Sequence, residues 1–202
     1  HSYAEIFNSH FFEMGGILHP ADTLIIKNSV FRNGNHRAVY GVEPVFILIE
    51  NCDFAGYVSN DDTHDVGLIM LEYGNIHVDS TRFIGNHFDN GGAAIVAQNG
   101  NISATNSTFI NNSGGQEYWQ SSVIQTSLGE PYSSFENCVF FNNEGFVLGG
   151  PNSSSSANGQ INITNCIIYG NEVGDAIWIN VDFNASYSCV EGGLPGTGNI
   201  ST

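Results

Sequence analysis

The densest gathering of reactive side chains is Asn60-Asp61-Asp62-Thr63-His64-Asp65, followed by His77, Asp79, His87 and Asp89. Carboxylates converging from a loop are the oxygen donors that calcium prefers, which makes Asp61, Asp62, Asp65 and Asp79 the metal candidates. A carboxylate pair can also run glycoside hydrolysis. Asp61 and Asp62, with His64 beside them, are therefore the catalytic candidates. A run of this kind is more often a solvated acidic loop, and the Gly-Gly-x-Gly-x-Asp calcium repeat is missing. No cofactor is required by the pattern; calcium is the ion it could hold. Aromatic residues add a second kind of chemistry. Trp178, between Ile177 and Ile179 on a strand pattern, and Tyr118-Trp119, in a long loop, are candidate platforms for stacking on sugar rings or docking another chain.

These residues hang on a repeat. Eight times a polar residue, usually Asn, is followed by a small residue, any residue and then a large apolar one. The copies are Asn8-Ser9-His10-Phe11, Asn28-Ser29-Val30-Phe31, Asn51-Cys52-Asp53-Phe54, Ser80-Thr81-Arg82-Phe83, Asn106-Ser107-Thr108-Phe109, Asn137-Cys138-Val139-Phe140, Asn165-Cys166-Ile167-Ile168 and a degraded Ser188-Cys189-Val190. They are separated by 20–31 residues without helical patterning, the mark of a stacked β-solenoid. Within Ile161–Asn171, Ile161 and Ile163 alternate with Asn162 and Thr164 as a short strand with an apolar inner face. Asn165 breaks the alternation, as expected of a left-handed corner, which Asn tolerates.

Three columns follow from stacking the copies. Ile26, Ile49, Val78, Ala104, Phe135 and Ile163 precede the corner; Ser9, Ser29, Cys52, Thr81, Ser107, Cys138, Cys166 and Cys189 form a small slot after it. Phe11, Phe31, Phe54, Phe83, Phe109, Phe140 and Ile168 then build an aromatic core. At the strand spacing, eight rungs make a rod about 35–40 Å long. Neighbouring rungs bring Cys138 to Cys166, or Cys166 to Cys189, within disulfide range; a buried thiol packing as a small hydrophobe is the alternative. Lys27 with Glu50, and Asp53 with Arg82, share outward columns and pair. Ile25 with Leu48, and Val139 with Ile167, form apolar exterior columns.

Composition narrows the partners. Gly and Asn are abundant, favouring strands and turns. Four cationic residues stand against 20 acidic ones, a net charge of −16, and none of the four lies beyond Arg82. Clustered cations are needed to displace counterions from a phosphate backbone, so nucleic acid is excluded. No apolar run is long enough for a membrane span. Sequons at Asn101, Asn106, Asn111, Asn152, Asn162, Asn184 and Asn199 are candidate N-glycosylation sites of a secreted or cell-surface protein. The first residue is His, which fits a processed piece of a longer secreted precursor forming one domain over residues 1–202.

The Phe-x-x-Asn copies Phe83–Asn86, Phe109–Asn112 and Phe140–Asn143, the variant Ile168–Asn171, and Gly91-Gly92-Ala93-Ala94-Ile95 carry a family resemblance. The chain resembles the right-handed parallel β-helix, pectate-lyase-like superfamily, and looks most like the repeats of polymorphic outer membrane proteins and other surface β-helices. The tail from Tyr187 to Ile200 resembles the last coil of many secreted β-helix proteins. The resemblance implies an all-β fold of about eight rungs with three parallel sheets. Among its enzymes, lyases imply a Lys or Arg base near calcium, and polygalacturonase-type hydrolases a Gly-His-Gly and an Arg-x-Lys; Asp61-Asp62 is present but both sets are incomplete. The expected function is thus an extracellular structural or adhesive module that self-associates or meets other surface proteins. A carbohydrate-active enzyme or glycan-binding module for a neutral or calcium-bridged polysaccharide is the alternative.

Overall fold

The computed structural model of the chain describes residues 3–13, 22–43, 45–59, 67–89, 92–114, 122–126, 132–149, 160–171, 177–178 and 182–201. Among them every regular element is a strand, and the strands form three parallel sheets of 12, 9 and 3 members. The fold is an all-β parallel solenoid. Each coil returns to lie beside the one before it, so partners are neighbours in space and 20–31 residues apart in sequence, except in the last pair, where Cys189 faces Ile200; Ile26, Ile49, Val78, Ala104, Phe135 and Ile163 follow one another up one column.

The first corner behaves as its composition requires. Asn8, Asn28, Asn51, Ser80, Asn106, Asn137 and Asn165 all have φ between 49° and 54°, a left-handed backbone that most side chains resist. Their exposed carboxamides bond up the solenoid, from Asn51 Nδ2 to Asn28 Oδ1 (2.8 Å), Asn137 to Asn106 (3.2 Å) and Asn165 to Asn137 (2.6 Å). Three residues later the phenylalanines stack: from Phe11 to Phe140 successive ring centroids are 4.6–5.2 Å apart, with interplanar angles of 14° or less. That spacing is dictated by the strand separation, and no single coil could bury its own ring.

The small slot needs more than smallness. Ser29 Oγ donates to Lys27 O (2.8 Å), Thr81 Oγ1 to Asp79 O (2.9 Å) and Ser107 Oγ to Thr105 O (2.7 Å), while Cys138 and Cys166 thiols reach the equivalent carbonyls at 3.3 Å. The same atom accepts from the coil below: Thr81 N donates to Ser107 Oγ (3.1 Å) and Cys166 N to Ser188 Oγ (3.1 Å). The eighth copy is therefore displaced by one residue from its expected register. Tyr187 takes the left-handed corner (φ 52°), Ser188 the slot, and Cys189 lies opposite Ile167 on the outer column. Only a hydroxyl or thiol serves both bonds, and Ser188 supplies it.

The largest sheet folds across its own strands. Ile69–Asp79 and Ile95–Thr105 run for 11 residues each and bend at Gly74 and Gly100. A Cβ on Gly100 would sit 1.9 Å from Gly74 O, and Gly74 has a φ of 120°, so only glycine fits this crease. Beyond the bend lies the small third sheet, Val58–Ser59, His87–Phe88 and Ser113–Gly114.

Candidate functional site

A second corner separates the phenylalanine sheet from the third sheet. Asn33, Gly56, Gly85, Asn111, Asn142 and Gly170 carry positive φ there, between 52° and 69°. The residue that follows points inward, and from Asn86 upward it is asparagine. Asn112 shows what the slot demands: its Nδ2 donates to Phe83 O (2.9 Å) and Asn143 Oδ1 (3.1 Å). Its Oδ1 accepts from Asn86 N (3.1 Å) and Asn86 Nδ2 (2.9 Å). Asn86 and Asn143 repeat the pattern, and all three are buried. In the coils below, the slot holds Gly34 and Tyr57 instead. A Cβ on Gly34 would meet the Tyr57 ring at 2.1 Å, so the glycine makes room for the phenol. The Tyr57 hydroxyl is buried without a partner among the described residues, and burial pushes it up to about 12.

Outside this ladder lies a polar cavity of about 380 Å³, lined by Asn111, Ser113, Asn142, Glu144 and Gly170. Asn142 Nδ2 donates to Asn111 Oδ1 (2.7 Å), and Asn111 Nδ2 has no hydrogen bond among the described residues. Ser113 joins the groove to a relay. It pairs in register with His87, whose Nδ1 lies 2.6 Å from Ser113 Oγ, while His87 Nε2 lies 2.7 Å from Asp89 Oδ1. In the neutral tautomer that suits a carboxylate partner, Nε2 carries the proton and Nδ1 accepts from the serine hydroxyl. A hydroxyl, an imidazole and a carboxylate are thus connected in one chain of hydrogen bonds.

The neighbouring His77 makes half of this arrangement. Its Nδ1 lies 2.7 Å from Ser103 Oγ. Asp79, two residues on, accepts instead from Thr105 Oγ1 (2.5 Å), Asn106 Nδ2 (2.9 Å) and Ser80 Oγ (3.0 Å). The Thr105 bond leads, with the other two and nearby His77 assisting, in holding the Asp79 carboxyl below its usual range. Its Oδ1 is occupied by two coil-to-coil bonds and its Oδ2 by the adjacent Ser80. No cluster of three or more His, Cys, Asp or Glu able to hold a metal ion occurs among the described residues.

Several sequence candidates fall elsewhere. Asp61, Asp62, His64, Asp65, Tyr118, Trp119 and Asn152 lie outside the described residues. Trp178 is on the strand Ile177–Trp178, in register with Gly149. The cysteines are free thiols, and Cys189 stands outside the slot that holds Cys138 and Cys166. The hydrogen bond shared with Cys166, together with burial, pushes the Cys138 thiol up, so it is no poised nucleophile. Lys27 pairs with Glu50 at 2.5 Å, and Arg82 reaches Asp53 at 3.1 Å; Arg32 joins the same carboxylate. Arg37 is buried, with its guanidinium 4.3 Å above the Tyr40 ring.

The sequons are not equivalent. Asn101, Asn106 and Asn184 donate their Nδ2 to Asn75, Asp79 and Asn162, and Asn199 Nδ2 is tied to the carbonyls of Ala185, Leu194 and Pro195. Asn111 and Asn162 keep Nδ2 unengaged among the described residues. Sequence reasoning reached His87 and Asp89 but not Ser113. The signal was available: Ser80 to Asn106 spans 26 residues, and 26 beyond His87 is Ser113.

No family model matches the chain, and no curated protein matches it. Among solved structures it is similar to two trypsin-treated variants of QnrB1, described as a plasmid-mediated fluoroquinolone resistance protein. Sequence identities are 11% and 12% and TM-scores 0.25 and 0.23. The alignments cover 99% and 98% of this chain and 91% and 84% of those.

Proposed function

We propose that the chain is a structural or adhesive module of a cell surface or extracellular filament, built as a pectate-lyase-like β-helix whose eight corner phrases are eight rungs. The observation that carries this reading is how the repeated polar residues are used. The exposed asparagines, the slot hydroxyls and the buried asparagines are engaged between coils, and Lys27, Arg32 and Arg82 are engaged in ion pairs. Such a surface resists unfolding and offers no basic cluster to an anionic ligand. Secretion, glycosylation and contact with itself or other surface proteins belong to the same proposal. Sedimentation velocity across a hundredfold concentration range, with and without calcium, tests self-association. Particles that lengthen in steps support a filament; one unchanging species that also fails to bind intact cells overturns the reading.

The polar groove favours a second reading, a glycan-binding or carbohydrate-active module. Carboxamides, a hydroxyl and a carboxylate around a shallow cavity are the donors and acceptors that a neutral polyol requires. On a glycan array, Asn142→Ala and Glu144→Gln should each weaken binding at least fivefold. Binding that survives both variants unchanged removes the groove from consideration.

A further inference from the structure

We propose that Ser113, His87 and Asp89 form an acyl-ester hydrolase site acting on short acyl groups carried by neutral, hydroxyl-rich compounds. The inference deepens the groove reading and is independent of the scaffold reading. Ser113 lines the 380 Å³ groove, and its Oγ lies 2.6 Å from the nitrogen that can take its proton. Asp89, at 2.7 Å from Nε2, fixes the tautomer that leaves Nδ1 free to accept. The relay uses the two imidazole nitrogens in the reverse sense to the familiar hydrolase triads; either nitrogen is competent as a base when the other is held protonated.

The steps balance with water as the only co-reactant. Ser113 Oγ bonds to the ester carbonyl carbon as its proton passes to Nδ1. The carbonyl oxygen gains negative charge, and Asn111 Nδ2, which lines the same groove and makes no bond among the described residues, is the side-chain donor available to it. The carbon–oxygen bond to the alcohol breaks, and that oxygen takes the proton from Nδ1. Water then attacks the acyl-serine, losing its proton to Nδ1. The acyl carbon–Oγ bond breaks and Oγ recovers the proton, leaving an alcohol and a carboxylic acid. Glu144 on the rim and the net charge of −16 disfavour anionic substrates. The groove's shallow, polar lining suits an acetyl group rather than a long chain.

The fold supplies its own control. His77 and Ser103 make the same imidazole–hydroxyl contact at 2.7 Å, one sheet away, with no carboxylate bonded to Nε2 among the described residues. The full chain, made in bacteria so that Asn111 stays unmodified, is treated with a fluorophosphonate probe and assayed on 4-nitrophenyl acetate and acetylated xylo-oligosaccharides. Labelling should map to Ser113 and not Ser103. Ser113→Ala and His87→Ala should each lower hydrolysis by about 10²–10⁴-fold, with unchanged circular dichroism, while Ser103→Ala leaves it intact. Asp89 acts through His87, so Asp89→Asn should lower kcat at least tenfold with KM unchanged. Ser113→Cys, which keeps the contact, should be alkylated by iodoacetamide faster than the buried Cys52, Cys138 and Cys166. Absence of labelling at Ser113, with hydrolysis no faster than the Ser113→Ala protein, overturns the inference. Glycan binding that persists in that outcome leaves the groove reading standing and removes only the catalysis.

Discussion

Truncating Asn112 to Ala strikes the buried ladder at its centre, and the consequences can be counted bond by bond. Asn143 Oδ1 would keep the Asn112 backbone N–H (2.9 Å), and Asn86 Nδ2 would keep Phe54 O (3.1 Å). Asn86 N–H, however, loses the side-chain acceptor at 3.1 Å, and Phe83 O loses its side-chain donor at 2.9 Å. An orphaned buried donor costs about 1–3 kcal/mol and a lost net bond about 0.5–1.5 kcal/mol. With the small void added, the expected loss is about 2–5 kcal/mol, or roughly 5–20 °C in Tm for a chain of this size. Asn142→Ala is the comparison. It loses one exposed bond and places Ala at φ 52°, costing about 1–2 kcal/mol, most of which Asn142→Gly should recover. Asn112→Asp adds a sign. A carboxylate there is buried and lacks the two donated bonds, so the folded state favours its protonated form. The stability of that variant should be greatest below pH 4 and fall as pH rises. Thermal melts followed by circular dichroism at pH 3.5 and 7 read both effects. An Asn112→Ala melt no lower than that of Asn142→Ala would refute the ladder as a source of stability.

Tyr57→Phe should raise stability by about 1 kcal/mol, because a buried hydroxyl without a partner is removed and the ring is kept. It should also flatten the alkaline limb: a phenol pushed up from 10.0 to about 12 contributes stability below pH 10 that is lost as pH rises through 12. A wild-type melt as insensitive as the variant's between those values contradicts this. Ser107→Ala should cost about 1–3 kcal/mol in urea denaturation, since Thr81 N–H loses its buried acceptor. Ser107→Cys should cost under about 1 kcal/mol, as a thiol already fills the slot at Cys138 and Cys166; equal losses for the two would return the slot to mere size. In a eukaryotic secretory host, glycopeptide mapping of the folded product should find glycan at Asn162 and none at Asn199, whose Nδ2 is held by three carbonyls. An occupied Asn199 in soluble protein contradicts the last bonds assigned to the final coil.

How legible each feature was in the sequence depended on whether a translation along the solenoid reproduced it. The first corner recurs with one residue type and one offset, so its asparagines, its phenylalanine stack and the Lys27–Glu50 pair could be read directly. The eighth copy departs from the sequence register because size alone does not define the slot: its bonds use a hydroxyl or thiol, and Ser188 meets that need one residue before Cys189. The asparagines of Phe-x-x-Asn stood out as a pattern, but their burial did not. A polar residue at an inward position becomes favourable only when four partners, two of them backbone groups, converge from the two flanking coils, as they do at Asn112. Tyr57 in place of asparagine was hidden for a related reason: its compensation, Gly34, lies in the coil below.

The site follows the opposite logic. In a stacked fold, a column present only for packing repeats its chemistry, as the phenylalanines and the slot hydroxyls do. The outward column of the third sheet reads Val58, His87, Ser113 and Glu144 in consecutive coils, and no two members share a chemistry. Neighbours in that column are held at strand spacing, so an imidazole and a hydroxyl meet at 2.6 Å without any loop having to place them. Strand alternation puts Asp89 on the same outward face as His87, which closes the other end of the relay at 2.7 Å. Periodicity therefore accounts for the scaffold, and the break in periodicity locates the chemistry. The residues that carry it are the ones a repeat search discards, with side chains of His87 and Asp89 still 39% and 43% exposed to whatever enters the groove beside them.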